Sequence, residues 1–158
     1  MFCTVYMDDN QFMINILIIE DDPEYAKLYE IALQEYSDVS FDWHTLGKLA
    51  LKMFSINPSS YDAAIIDIHL PDLPGSKVAL ATRELHADLP ILFITGVHDE
   101  YNITLLEQQG AYLEKPFRLS DFHDKIYNLV LTAREHKLDR ESRSDVWPPL
   151  AVDDDPDQ

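Results

Sequence analysis

The sequence predicts an α/β protein built on one doubly wound, five-stranded parallel sheet with five helices. Three observations predict it. Short apolar runs alternate with segments of helical periodicity along about 125 residues. The most apolar runs show no polar alternation, as expected of strands covered on both faces. Each such run is separated from the next by enough chain for a right-handed crossover through a helix.

The elements follow in order. "NILIIE" (15–20) opens the sheet, and Asp22-Pro23 gives a cap and first-turn proline for a helix over 23–36. On that helix Ala26, Tyr29, Ala32, Leu33 and Tyr36 fall at helical spacing. "VSFDWH" (39–44) is a weaker strand, suited to a position near a sheet edge, and a helix over 46–56 ends at "NPSS". "YDAAIID" (61–67) is a second buried strand, followed by a helix over 75–87. "PILFIT" (90–95) is a third, and a helix over 99–109 stops at Gly110. "AYLEKP" (111–116) is a second weak strand, and Ser120 opens a last helix over 120–137.

The ends read differently, which divides the chain into a 1–12 extension, a 13–138 domain and a 139–158 tail. "MINILII" is a natural start for the first strand, so residues 1–12 precede the domain. The tail carries seven acids against two arginines, with "WPP" and "DDDPD" inside it. It has too little apolar surface to order itself, so it reads as disordered.

Composition narrows the function. With 29 acids against 12 Lys and Arg, and a formal charge of -17, the chain argues against nucleic acid or an anionic membrane as partner. The same excess suits a cation or a basic protein surface. Cys3 is the only cysteine, which excludes a disulfide framework and a thiolate metal site. No basic leader followed by an apolar run and no 18-residue apolar stretch is present, so the expectation is a soluble cytoplasmic protein.

In an open parallel sheet, functional groups gather at the carboxyl ends of the strands. Those ends carry Glu20, Asp21 and Asp22 after the first strand, Asp67 after the third, Thr95 after the fourth and Lys115 after the fifth. If the first and third strands are neighbours, Glu20, Asp21 and Asp67 form a carboxylate cluster that needs a hard cation or a raised pKa. Mg²⁺ (or Mn²⁺) prefers such oxygen ligands with positions left for water and a phosphoryl group. Thr95 offers a hydroxyl and Lys115 a point charge for a phosphoryl oxygen. Each residue alone has an ordinary explanation as a cap, turn or solvated group, and the constellation carries the weight. Asp22 reads separately, as the N-cap of the helix that Pro23 opens.

The pieces "ILIIEDDP", "AAIIDIHLPDLPG", "PILFITG" and "GAYLEKPF" resemble the receiver domain of bacterial response regulators, over about residues 14–137. The resemblance implies a flavodoxin-like fold with strand order 2-1-3-4-5. It implies that Asp67 accepts a phosphoryl group from a sensor histidine kinase or a histidine phosphotransfer protein. Asp21 would hold Mg²⁺ directly, Glu20 largely through water, and the His69 backbone carbonyl would add a ligand. Lys115 and Thr95 would bond the phosphoryl oxygens, with Thr95 and Tyr112 moving together as the switch. His69 stands where the family tunes autodephosphorylation, where a bulky imidazole would either restrict water access or simply cover the site. The resemblance also implies a signalling protein that catalyses its own phosphorylation and dephosphorylation rather than an ordinary enzyme.

Residues 139–158 are too few and too acidic for a DNA-binding output domain. Signalling is therefore expected through a protein target, on the face made by the fourth helix, fifth strand and fifth helix. Three alternatives stand beside this. The chain could hand phosphate on to a histidine phosphotransfer protein as a relay intermediate. It could be an unphosphorylated scaffold, whose usual sign, loss of the aspartate, the acidic pair or the lysine, is absent. An unrelated small-molecule binder would need a glycine- or hydroxyl-rich loop after the first strand, where this chain has acids and Pro23.

Overall fold

The structure, a computed structural model, describes residues 12–96, 108 and 110–144. Five strands, β1 (Ile14–Ile19), β2 (Val39–His44), β3 (Ala63–Asp67), β4 (Ile91–Thr95) and β5 (Ala111–Glu114), pair in the order β2-β1-β3-β4-β5, all parallel. The helices described are α1 (Pro23–Leu33), α2 (Gly47–Ile56), α3 (Gly75–Leu85) and α4 (Leu119–Ser144), with a single 3₁₀ turn at Pro58–Ser60. Of the expected helix over 99–109, only Gln108 is among the described residues, and it is helical. Among the described residues no helix is long and apolar enough to cross a membrane.

The uninterrupted apolar runs are explained by two cores, one on each face of the sheet. Ile14, Ile16 and Ile18 of β1 point to one side, where they join Ala63 and Ile65 of β3, Leu92 and Ile94 of β4, and residues of α1 and α4. Leu17 and Ile19 point to the other, with Ala64, Ile66, Phe93 and residues of α2 and α3. Every residue of β3 and β4 is buried. Side chains alternate across a strand, so burial on both faces disfavours a polar residue anywhere before its last position, where Asp67 and Thr95 stand. The two weaker strands are the edges of the sheet, as their composition suggests.

Two helix boundaries depart from expectation by three residues or more. α1 ends at Leu33 rather than 36, because the chain tightens into i→i+3 bonds from Glu35 N to Ala32 O and from Tyr36 N to Leu33 O. The last helix runs to Ser144 rather than 137, through the first six residues of the acidic segment read as disordered. Ion pairing, not apolar burial, accounts for this extension. Asp62 is only 1% exposed at the amino end of β3, and its carboxylate accepts from Asn15 N (2.9 Å), Arg140 Nη2 (2.5 Å) and Lys137 Nζ (3.3 Å). Lys137 also donates to the Met13 carbonyl, and Arg143 pairs with Asp139 one turn back. A buried carboxylate costs several kcal/mol unless it is bonded on all sides, so the distal turns of α4 are held where its partners must be.

A second clamp joins the same helix to the α1–β2 turn. Arg134 donates through Nε and Nη2 to both oxygens of Asp38, at 2.7 and 2.6 Å. The paired guanidinium holds the Asp38 carboxyl below its ordinary range.

Removing the buried charge by Asp62→Ala leaves Arg140 and Lys137 without their carboxylate partner. It is expected to cost about 3 kcal/mol in denaturant unfolding and to accelerate amide exchange over 138–144. For Asp38 the lowered folded-state pKa fixes the sign: its stabilisation is present above the ordinary carboxylate range and is lost as pH falls through the depressed value. Unfolding curves of wild type and Asp38→Asn should therefore differ at pH 7 and converge in strong acid.

Candidate functional site

The carboxyl ends of β1, β3, β4 and β5 converge on a buried ion cluster. Glu20 follows β1 and is 0% exposed, and Asp67 ends β3 at 4%. Lys115 follows β5, and its main-chain N–H bonds the Thr95 carbonyl at the end of β4. Its side chain crosses the strand ends. Nζ donates to Glu20 Oε1 (3.1 Å) and Oε2 (3.0 Å) and to Asp67 Oδ2 (2.8 Å). The Tyr25 ring centroid lies 3.9 Å from the same ammonium, a cation–π contact from the first turn of α1. The Lys115–Pro116 peptide is cis.

Two backbone features place Asp67. The His69 N–H donates to Asp67 Oδ1 at 2.7 Å, turning the chain back over the carboxylate. Gly75, at the start of α3, brings its N–H within 2.9 Å of the Ile68 carbonyl. A Cβ at Gly75 would lie 2.0 Å from the Asp67 carbonyl oxygen, so only glycine lets α3 start this close to the loop.

Glu20 is held from the inner side. Tyr29 OH donates to Oε2 at 2.9 Å, the Asp22 N–H donates to Oε1 at 3.1 Å, and Trp43 Nε1 donates to the Glu20 main-chain carbonyl at 2.8 Å. Asp22 itself caps α1, accepting from the Glu24 N–H at 2.9 Å, as the separate reading of the third acid requires. Asp21 between them is exposed.

Carboxylate oxygens of Glu20, Asp21 and Asp67 come within 4.8 Å of one another, where each like-charge pair repels by roughly 3 kcal/mol at an effective dielectric near 20. With all three carboxyls ionised, three negative charges face the one ammonium that bonds two of them, a deficit of two positive charges. Its electrostatics carry that mark. Burial, and then the Asp67 charge, push the Glu20 carboxyl up to about 7, against the bonds from Lys115 and the Asp22 N–H. Burial opposes charge on Lys115 too, but its bonds to Asp67 and Glu20 outweigh that and raise its pKa. A divalent cation with hard oxygen preference fits the cluster: the donors are all oxygen, the separations are short, and the missing charge is two.

The structure thus brings together Glu20, Asp21, Asp67 and Lys115, with Thr95, 4% exposed, on the adjoining strand end. The His69 side chain is exposed beside the aspartate. Tyr112 is half-buried and packs against the α2–α3 core, opposite Phe93 in the β4–β5 register. Sequence reasoning placed Tyr29 on the buried face of α1 but gave it no polar task, and it overlooked Tyr25 and Trp43. A signal for Tyr29 existed: a tyrosine on a buried helix face needs a partner for its hydroxyl, and an acidic strand end lies beside that helix.

Comparison with known proteins places this geometry. Residues 16–127 match the profile of the family described as the response regulator receiver domain. The transcriptional regulatory protein QseB of Haemophilus influenzae is 32% identical over 146 residues, covering 85% of this chain and 64% of that protein. The transcriptional regulatory protein KdpE of Staphylococcus aureus is 30% identical over 125 residues, covering 77% and 52%. The chain therefore spans about half to two thirds of these relatives. Among solved structures, a response regulator receiver domain protein from Clostridium thermocellum is similar with a TM-score of 0.67. Its identity is 24%, covering 80% of this chain and 99% of that one, a likeness of fold.

The two roles of the acidic run separate by mutation. Asp21→Asn is expected to abolish Mg²⁺ binding measured by calorimetry. Asp22→Ala is expected to keep that binding and lose about 1 kcal/mol of stability with its cap.

Proposed function

The chain belongs to the response regulator receiver domain family, and from that premise we propose that Asp67 is its phosphoacceptor. The donor is the phosphohistidine of a sensor histidine kinase or a histidine phosphotransfer protein. The observation that carries the reading is the Asp67 carboxylate, buried at a strand end, bonded by Lys115 and set among acids that lack two positive charges.

Glu20, Asp21, Asp67 and the His69 carbonyl would hold Mg²⁺, Asp21 directly and Glu20 largely through water. When bound, the ion neutralises charge on the transferring phosphoryl oxygens. In the transfer, an Asp67 oxygen forms the new bond to phosphorus as the P–N bond to the donor imidazole breaks. The imidazole leaves with that electron pair and takes up a proton from solvent. Lys115 stabilises the negative charge that accumulates on the phosphoryl oxygens, and burial keeps that interaction strong. The product is a mixed anhydride, which water cleaves at phosphorus to return the carboxylate and inorganic phosphate. His69, whose side chain is exposed, lies two residues beyond Asp67.

Phosphorylation replaces the single charge of Asp67 with a phosphoryl group of higher charge further from the sheet. Thr95 then bonds a phosphoryl oxygen, and the half-buried Tyr112 turns further inward into the space Thr95 vacates, as the second half of a two-state element. Output passes to a protein target over the surface of β5, α4 and the preceding segment. Two of the longer relatives are named as transcriptional regulatory proteins, which supports a signalling role upstream of gene expression.

Incubation with Mg²⁺ and a small phosphodonor, or with beryllofluoride as its mimic, is expected to give a Mg²⁺-dependent adduct detected by mass. Asp67→Asn should form none, and an adduct that persists there defeats the reading. Lys115→Ala should still bind Mg²⁺ but leave the Tyr112 environment unchanged on modification, as read by NMR.

A further inference from the structure

Glu20 presents an unusual balance of donors. Each of its oxygens is bonded twice, once by Lys115 and once by a group that does not depend on Lys115. For Oε1 the second donor is the Asp22 N–H, and for Oε2 it is the Tyr29 hydroxyl. Tyr29 is 0% exposed and packs its ring against Phe122, with centroids 5.4 Å apart, so its hydroxyl is delivered to Glu20 by two helices. Burial, followed by the neighbouring Glu20 charge, raises the Tyr29 pKa, which keeps the group a hydrogen-bond donor.

The reaction asks Lys115 to serve a new acceptor. In the resting chain its three donor protons are committed to Glu20 and Asp67. Once Asp67 carries a phosphoryl group, the strongest acceptors are the phosphoryl oxygens, and the ammonium must turn toward them. A carboxylate as buried as Glu20 is costly to leave without donors. Without Tyr29, Oε2 would have Lys115 alone among these donors, and the lysine would be held back.

We propose that the Tyr29 hydroxyl is a positioning group for phosphoryl transfer: it keeps Glu20 satisfied from behind and so frees Lys115 to follow the phosphoryl oxygens. The inference rests on the function proposed above. It assigns Tyr29 a role through Glu20 and Lys115, not a contact with the phosphoryl group.

Tyr29→Phe removes the hydroxyl and keeps the ring that packs against Phe122. The control is Tyr61→Phe, which removes a tyrosine hydroxyl bonded to a different carboxylate, Asp42 Oδ2 at 2.7 Å, on the α2 side of the sheet. Wild type and both variants are titrated with beryllofluoride at saturating Mg²⁺, with Mg²⁺ affinity and melting temperature measured alongside. Tyr29→Phe is expected to weaken beryllofluoride binding about tenfold, the lower end of the losses seen when a partner of a metal-site carboxylate is removed. Tyr61→Phe should stay within twofold of wild type. In a Glu20→Gln background the Tyr29→Phe loss should vanish, because the hydroxyl acts through the Glu20 charge. Binding by Tyr29→Phe within twofold of wild type overturns the proposal, as does an equal loss in Tyr61→Phe or an undiminished loss in the Gln background. Failure of the wild type to form any adduct would remove the proposed function itself, an outcome separate from a normal adduct that ignores Tyr29.

Discussion

One cation organises the molecule. Lys115 bonds Glu20 across 95 residues of sequence and Asp67 across 48, and no local preference of the chain could bring these groups together. The sheet does so. With β1, β3, β4 and β5 side by side and parallel, four carboxyl ends meet along one edge, and each presents a polar residue at or just after its last strand position. The apolar cores on both faces leave that edge as the place where the chain changes from buried backbone to polar side chains. The ammonium is therefore both the product of the topology and the group that makes three close carboxylates tolerable.

It does not make them neutral. The remaining deficit is visible in Glu20, whose carboxyl is pushed up to about 7 by burial and by Asp67 despite the bonds it accepts. A site in that condition responds strongly to any change in charge, because the dielectric is low and few groups are free to relax. The opposite end of the sheet is built differently. There Asp62 is paired with Arg140 and Lys137, and Asp38 with Arg134, with one helix supplying all these cations. Of the 12 Lys and Arg in a strongly acidic chain, α4 thus commits three to the amino-end side, while among the described residues the carboxylate cluster is bonded by one ammonium.

Much of this was legible in the sequence, for a physical reason. Strands buried on both faces must be apolar throughout, so β1, β3 and β4 declare themselves, and the residue that ends each is the first free to be polar. That is why Glu20, Asp67 and Thr95 could be placed from spacing alone, and why the weaker β2 and β5 could be assigned to the edges. Asp22 was separable from its acidic neighbours because proline after it marks a helix start. What escaped were interactions that depend on packing geometry. The run of charge from Asp139 reads as unable to order itself, since composition counts apolar area and does not see that Asp62 needs Arg140. The task of Tyr29 was hidden similarly: helical spacing says which face a tyrosine shares, not what its hydroxyl meets.

The same distinction explains how the site can be both rigid and movable. Glu20 is fixed by main-chain and aromatic donors from β2 and α1, elements whose positions are set by the core beneath them. Asp67 is fixed by the turn at His69 and by the close start of α3 that Gly75 permits. Lys115 is held otherwise, by acceptors it shares and by the face of Tyr25, at the end of a short edge strand and on four rotatable bonds. A charged group on a flexible stem between two immobilised carboxylates can exchange acceptors without disturbing the sheet. The carboxylates define the geometry, and the lysine is the part able to answer a change in it.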